Sequence, residues 1–137
     1  MDMTWEGSFD AILEDRHVLL EGTHAMLDAS RFAQVGSWSG TLSVDGRDFR
    51  VDPDVWLGTR DRSWGIRPSG ESEPPGRWAA EPCEGFRWTC IPLRFDDYAM
   101  VVILQESPDG HRTLNHASRV FADGRIQQLG WPRLEGD

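Results

Sequence analysis

From Ser37 to Val44 the chain alternates residue by residue. Trp38, Gly40, Leu42 and Val44 fall on one face and Ser37, Ser39, Thr41 and Ser43 on the other, the period-two signature of a half-buried strand. Asp45-Gly46 follows, a pair that tolerates the positive backbone angles of a tight hairpin, and Asp48 to Val51 returns as the partner strand. The same grammar recurs downstream. Phe86 to Phe95 and Tyr98 to Glu106 form a second hairpin around Asp96-Asp97, and Arg112 to Phe121 a further strand after the turn Pro108-Asp109-Gly110. Asp123-Gly124 then folds Arg125 to Trp131 back in a third hairpin. The run Ala99-Met100-Val101-Val102-Ile103-Leu104 is apolar at every position, as expected of a strand covered on both faces. Asp10 to Leu20, with Ile12, Leu13, Leu19 and Leu20, is the one stretch that could pass for a helix; it has no convincing cap, so an irregular segment or short turn is the alternative.

This pattern predicts an all-β chain, an antiparallel meander. Sheets of this size escape exposed edges by closing into a barrel or packing as a sandwich, and the long hairpins with short connections favour a lipocalin-like (calycin-type) barrel. Residues 1–137 read as a single domain. The segment Pro68 to Pro82, rich in Gly, Pro, Glu and Ser, reads as a mobile loop within it, because neither flank is large enough to fold easily alone.

Composition narrows the function. A net charge of -9 argues against nucleic acid and anionic membrane surfaces, which need clustered cations. All basic residues are arginine, which excludes a Schiff-base or phosphate-loop lysine. No apolar run is long enough to span a bilayer, and Met1 to Glu6 carries no secretory signal pattern, so a cytoplasmic location is expected. Cys83 and Cys90 are then expected as reduced thiols. His17, His24, His111 and His116 are too scattered for a zinc site, so neither metal nor cofactor is expected. Seven tryptophans suit a ligand cavity or, equally, the filling of a barrel end.

Candidate chemistry concentrates at Gly58 to Arg67. In an extended strand Arg60, Arg62, Trp64 and Ile66 share one face while Asp61, Ser63 and Arg67 share the other. Arginine forks bind carboxylates or phosphates and stack on indoles. The strand therefore anchors an anionic ligand group, or orients Asp61 as a proton acceptor, or forms an Arg–Asp–Trp lattice that ties a barrel end shut. His116, between Leu114 and Ser118 on one strand face, is a core residue or a proton shuttle. It could serve acid–base chemistry only if the fold brings Asp61 to it. Phe86, Trp88 and Cys90 share a face that reads as cavity wall or plain core. Cys90 has neither a neighbouring histidine in sequence nor a helix start to activate it.

The segments Arg31-Phe32-Ala33-Gln34-Val35-Gly36-Ser37-Trp38-Ser39-Gly40, Val44-Asp45-Gly46 and Arg60-Asp61-Arg62-Ser63-Trp64-Gly65-Ile66-Arg67 resemble uncharacterised bacterial lipocalin-like proteins related to the hydroxyneurosporene synthase and tocopherol cyclase group. The similarity in order and spacing runs over most of the chain. It implies two lipocalin-like β domains packed together, with an apolar ligand in or between them and no redox cofactor. Arg62 stands where that signature often has histidine. Relatives of this kind continue beyond Trp131-Pro132, so the chain is expected to be a whole domain or half of a two-domain protein, pairing as a homodimer or with a companion β domain. The leading expectation is binding of a lipophilic small molecule (terpenoid, steroid or fatty acyl) by Arg60, Arg62, Trp64, Arg67 and Trp88. The alternatives are cofactor-independent hydration, cyclisation or isomerisation by Asp61 with His116, and a structural or assembly role without a ligand.

Overall fold

The computed structural model describes residues 1–66, 85–133 and 135, and all regular structure among them is β. The expected loop from Pro68 to Pro82 lies outside these residues, as do Arg67 and Cys83. Among the described residues there are ten strands: β1 (Asp2–Gly7), β2 (Ile12–Leu13), β3 (His17–Glu21), β4 (His24–Val44), β5 (Arg47–Val51), β6 (Leu57–Ile66), β7 (Arg87–Arg94), β8 (Tyr98–Glu106), β9 (Arg112–Phe121) and β10 (Ile126–Gln128). No helix long and apolar enough to cross a membrane is found among the described residues.

The first sheet is organised by β4, a strand of 21 residues. Along one edge β3, β2 and β1 pair with it end to end; along the other, β6 and then β5. Six strands thus make a sheet only three ribbons wide. The expected strand Ser37 to Val44 is the last third of β4. Its first two thirds escape the pattern because Ala25, Ala29 and Ala33 are weak strand formers, held extended by partners on both sides. The stretch from Asp10 to Leu20 is β2 and β3 and not a helix: pairing of Ile12 with Ala33 and of His17 with Ala29 overrides a local pattern that had no cap to start it.

The second sheet is the meander β7-β8-β9-β10, at nearly the boundaries the alternation predicts. The turns of both sheets follow the expected chemistry. Asp45 and Gly46, between β4 and β5, both have positive φ (50° and 76°), as a two-residue type I′ hairpin requires. Gly110 and Gly124 take φ of 85° and 81° at the ends of three-residue turns, where the chain bends back into β9 and β10.

The sheets face one another. Ile12, Ala33 and Val35 from the first pack with Ala99, Val101, Ile103, Leu114 and Val120 from the second to form the main core. On the far side of the second sheet Val102, Leu104 and Ala117 are also buried, with Ile91 against them, so β8 is covered on both faces as its composition predicts. The two sheets share no strand pairing, and among the described residues they do not close into a barrel. Alternation specifies which face of a strand is buried; it leaves open which edges meet.

Gly7, Gly36 and Gly58 form one row across the first sheet, and the bare row lets the tryptophans of β1 and β4 lie flat. A Cβ on Gly36 would stand 2.1 Å from the Glu6 carbonyl oxygen and 2.6 Å from the Trp5 ring. Gly36→Ala is therefore expected to cost about 2–3 kcal/mol through overpacking. Urea denaturation checks this, and an unchanged midpoint would contradict it.

Candidate functional site

A cleft of about 170 Å³ opens between the sheets beside β6 and β7. Its floor is apolar: Ala33 and Val35 from β4, Val101 and Ile103 from β8, and Pro92 from β7. The small side chain of Ala33 leaves the space. Proline within β7 suits an edge strand, because it offers no N–H to a further partner. Three ionisable side chains enter this apolar space. Ala33 faces the core and is paired with both Ile12 and Asp61, so Asp61 points inward. By the same alternation Arg31 does too. Glu14 follows β2, where its N–H donates to the Arg31 carbonyl at 2.9 Å, and its side chain lies in the cleft wall.

Arg31 ties the site together. Its guanidinium lies 4.5 Å from the ring centroid of Trp88 on the opposite sheet, a cation–π contact between the sheets. On its other flank Glu14 Oε2 stands 3.5 Å away. Glu14 is only 5% exposed, and its Oε1 has no hydrogen-bond partner among the described residues. Burial pushes its carboxyl up to about 7, Arg31 acting against this and Asp61 adding to it. A carboxyl that takes and releases a proton near neutrality, next to one that is exposed to solvent, is a pairing suited to acid–base work or to a pH-sensitive head-group site.

The neighbours share this field. His17, buried on β3, is pushed down by burial and by Arg31. Cys90 is on the exposed edge strand with its side chain in the cleft wall. Burial, then Glu14 and Asp61, push its thiol up, which holds it protonated and unreactive. Among the described residues no group of three or more His, Cys, Asp and Glu is placed to hold a metal ion.

The predicted site residues separate. Asp61, Trp88 and part of Arg60 line the cleft. Arg60, Arg62 and Trp64 alternate with Asp61 and so point to the outer face of the first sheet. There Arg60 stacks on Trp5 at 5.0 Å and on Phe32 at 5.4 Å, and donates to Gln34 Oε1 at 2.8 Å. Trp64 sits 6.4 Å from Phe32. These contacts are the lattice alternative for Arg60 and Trp64, while Arg60 also contributes to the lining of the cleft. Arg67 lies outside the described residues.

His116 is not in the cleft. It shares a row with Ile103 and Cys90, so Ile103 stands between it and the site. It is 1% exposed, and its Nδ1 accepts the N–H of Asp15 at 3.2 Å. That bond closes the break between β2 and β3. Burial pushes its pKa down, against the raising effect of Asp15, which keeps the ring neutral and able to accept.

A family of unknown function (DUF8625) matches residues 1–127. The chain belongs to this family. No curated protein and no solved structure matches it. The DUF8625 match runs across both sheets, so both walls of the cleft lie within the family unit.

Glu14 and Arg31 were not among the predicted site residues. Arg31 was legible as the one charge in the otherwise small, apolar series Ala29, Arg31, Ala33, Val35. Glu14 was masked by its place in the segment that resembled a helix.

The ionisation of Glu14 has a definite consequence for stability. The folded state holds its proton to about 7, whereas an unfolded glutamate releases it near its ordinary value. Its contribution to stability is therefore full at low pH and is lost as pH rises toward and through 7. Buried His17 and His116 act in the opposite sense: theirs is full above the ordinary histidine value and is lost as pH falls below it. Glu14→Gln is expected to stabilise the protein by roughly 1–3 kcal/mol at pH 8 and to change little at pH 5. Denaturation of both proteins from pH 5 to 8 tests this, and a difference independent of pH would refute it.

Proposed function

We propose that this protein binds a lipophilic small molecule in the cleft between its two sheets. The observation that carries the reading is an apolar floor of Ala33, Val35, Val101 and Ile103 that ends at one cluster of ionisable groups, Glu14, Arg31 and Asp61. Such a small set of polar groups at the end of an apolar cleft is how small-molecule sites fix orientation. The resemblance to the hydroxyneurosporene synthase and tocopherol cyclase group supports a lipophilic ligand. The lipocalin-like identity is proposed in the same sense, the two facing sheets serving as a cavity wall. A cleft of about 170 Å³ is close to the engineered cavity of about 150 Å³ that takes up benzene. It accommodates one ring or a short chain, and a larger terpenoid or steroid would extend through the mouth.

A second reading is favoured by the ionisation of Glu14 near neutrality beside Asp61: cofactor-independent acid–base chemistry on the same ligand. Glu14 would transfer the proton and Trp88 would supply an aromatic wall. In this reading His116, hydrogen-bonded to Asp15, serves the fold. Turnover whose rate bends near pH 7 and loses that bend in Glu14→Gln would support catalysis.

Titration calorimetry with geraniol and hexanamide tests the binding reading, using the protein and its Cys90→Phe variant. Cys90 lies on the exposed edge strand, so a larger side chain there fills the cleft without repacking the core. The expected result is one-to-one binding, weakened at least about tenfold in the folded variant. No binding of either compound, or equal binding by the variant, would overturn the reading.

A further inference from the structure

We infer that the ligand of the cleft is a lipophilic monocarboxylate, its head group seated on the guanidinium of Arg31 and its tail on the apolar floor. This rests on the reading that the cleft is a lipophilic binding site. Arg31 is held in place but its bonding capacity is unspent. Its side chain is 16% exposed, one contact is to the face of Trp88, and its ion partner Glu14 stands at 3.5 Å. Among the described residues the guanidinium makes no hydrogen bond, although it carries five donors in a planar fork that matches a carboxylate. A partly buried fork that meets a single carboxylate, at 3.5 Å, has donors to spare, and a ligand carboxylate entering along the floor supplies acceptors for them.

The surrounding charges fix the class more narrowly. Glu14 follows β2, His17 lies on β3, Arg31 on β4, Asp61 on β6 and Cys90 on β7; the strand behind them, β8, presents Val101 and Ile103. Arg31 is the cation left to face this group, because the guanidinium of Arg60, which also lines the cleft, is engaged by Trp5, Phe32 and Gln34, and His17 is buried and held neutral. One cation beside two carboxyl groups accepts a monoanion and opposes a dianion, which sets a carboxylate apart from a phosphate ester. An amine would place a second cation against Arg31.

Glu14 then acquires a role in recognition. As a neutral acid it donates its O–H to the incoming carboxylate, beside the arginine fork. As an anion it competes for the same arginine and repels the ligand. Binding is therefore coupled to uptake of one proton at Glu14.

Calorimetry with hexanoate, hexanamide and hexyl phosphate at pH 6, 7 and 8 decides the matter. Hexanoate is expected to bind most tightly of the three at pH 6. Its affinity should fall about tenfold between pH 6 and pH 8, with close to one proton taken up per ligand near pH 8, read from the buffer dependence of the heat. Glu14→Gln keeps a donor and cannot ionise, so its affinity for hexanoate should stay flat over that range. Hexanamide binding as well as hexanoate would overturn this inference and leave the cleft reading intact. Preference for hexyl phosphate, or an affinity for hexanoate that is flat with pH in the unsubstituted protein, would also overturn it. Failure of all three probes, together with geraniol, would overturn both.

Discussion

A guanidinium placed between two apolar sheets must be compensated locally, because the interior offers little of the solvation it gives up. Arg31 meets this constraint with an aromatic face from the opposite sheet and a carboxylate from its own. Much of the site follows from that solution. Glu14 is drawn into a space where burial would otherwise expel its charge, Asp61 enters the same field, and Trp88 is fixed over the cleft by the cation it covers. The contact with Trp88 is also a link between the sheets at the side where they diverge, beyond the continuous core of Ile12, Val101, Ile103 and Leu114.

The length of β4 makes this arrangement possible. One strand of 21 residues contributes Ala33 and Val35 to the core and Arg31 to the site by alternation alone, while its intervening residues carry the Phe32–Arg60–Trp5 stack on the outer face. The two alternatives for the arginine-rich segment are thus divided between the faces of one sheet. The guanidinium of Arg60 belongs to a lattice that holds the outer face, and its immediate neighbour Asp61 belongs to the cleft. A single residue of register separates the two roles.

This division also explains what was legible in the sequence. The meander from β7 to β10 was readable because each of its strands is bounded by turn residues whose backbone preferences are local, as at Pro108-Asp109-Gly110 and Asp123-Gly124. The double-sided burial of β8 was readable for a similar reason: Val101, Val102, Ile103 and Leu104 leave no polar face to expose. The separate faces of Arg60 and Asp61 were readable as well. Which face met the other sheet was not, since that depends on pairing of Ala33 with Asp61, 28 positions further along the chain. Closure into a barrel, which is not seen among the described residues, was beyond reach at the same level, because it depends on edges meeting at long range. Glu14 was hidden by a different cause: its inward direction is set by pairing with β4 and by the break before β3, neither of which leaves a local periodic trace.

His116 shows why a titratable residue on an inward face need not belong to a site. Its row includes Cys90, yet Ile103 intervenes, and its ring accepts the backbone N–H of Asp15 in the interruption after β2. The two neighbouring residues Glu14 and Asp15 therefore divide between site and scaffold. Glu14 reaches into the cleft with its side chain, and Asp15 fastens the same turn to β9 with its backbone. The histidine bond holds the segment that carries the carboxyl, so the position of Glu14 beside Arg31 depends on a contact on the core side of Ile103. Proton uptake at the two residues would have opposite effects: at Glu14 it relieves a buried charge, while at His116 it removes the acceptor that anchors the turn.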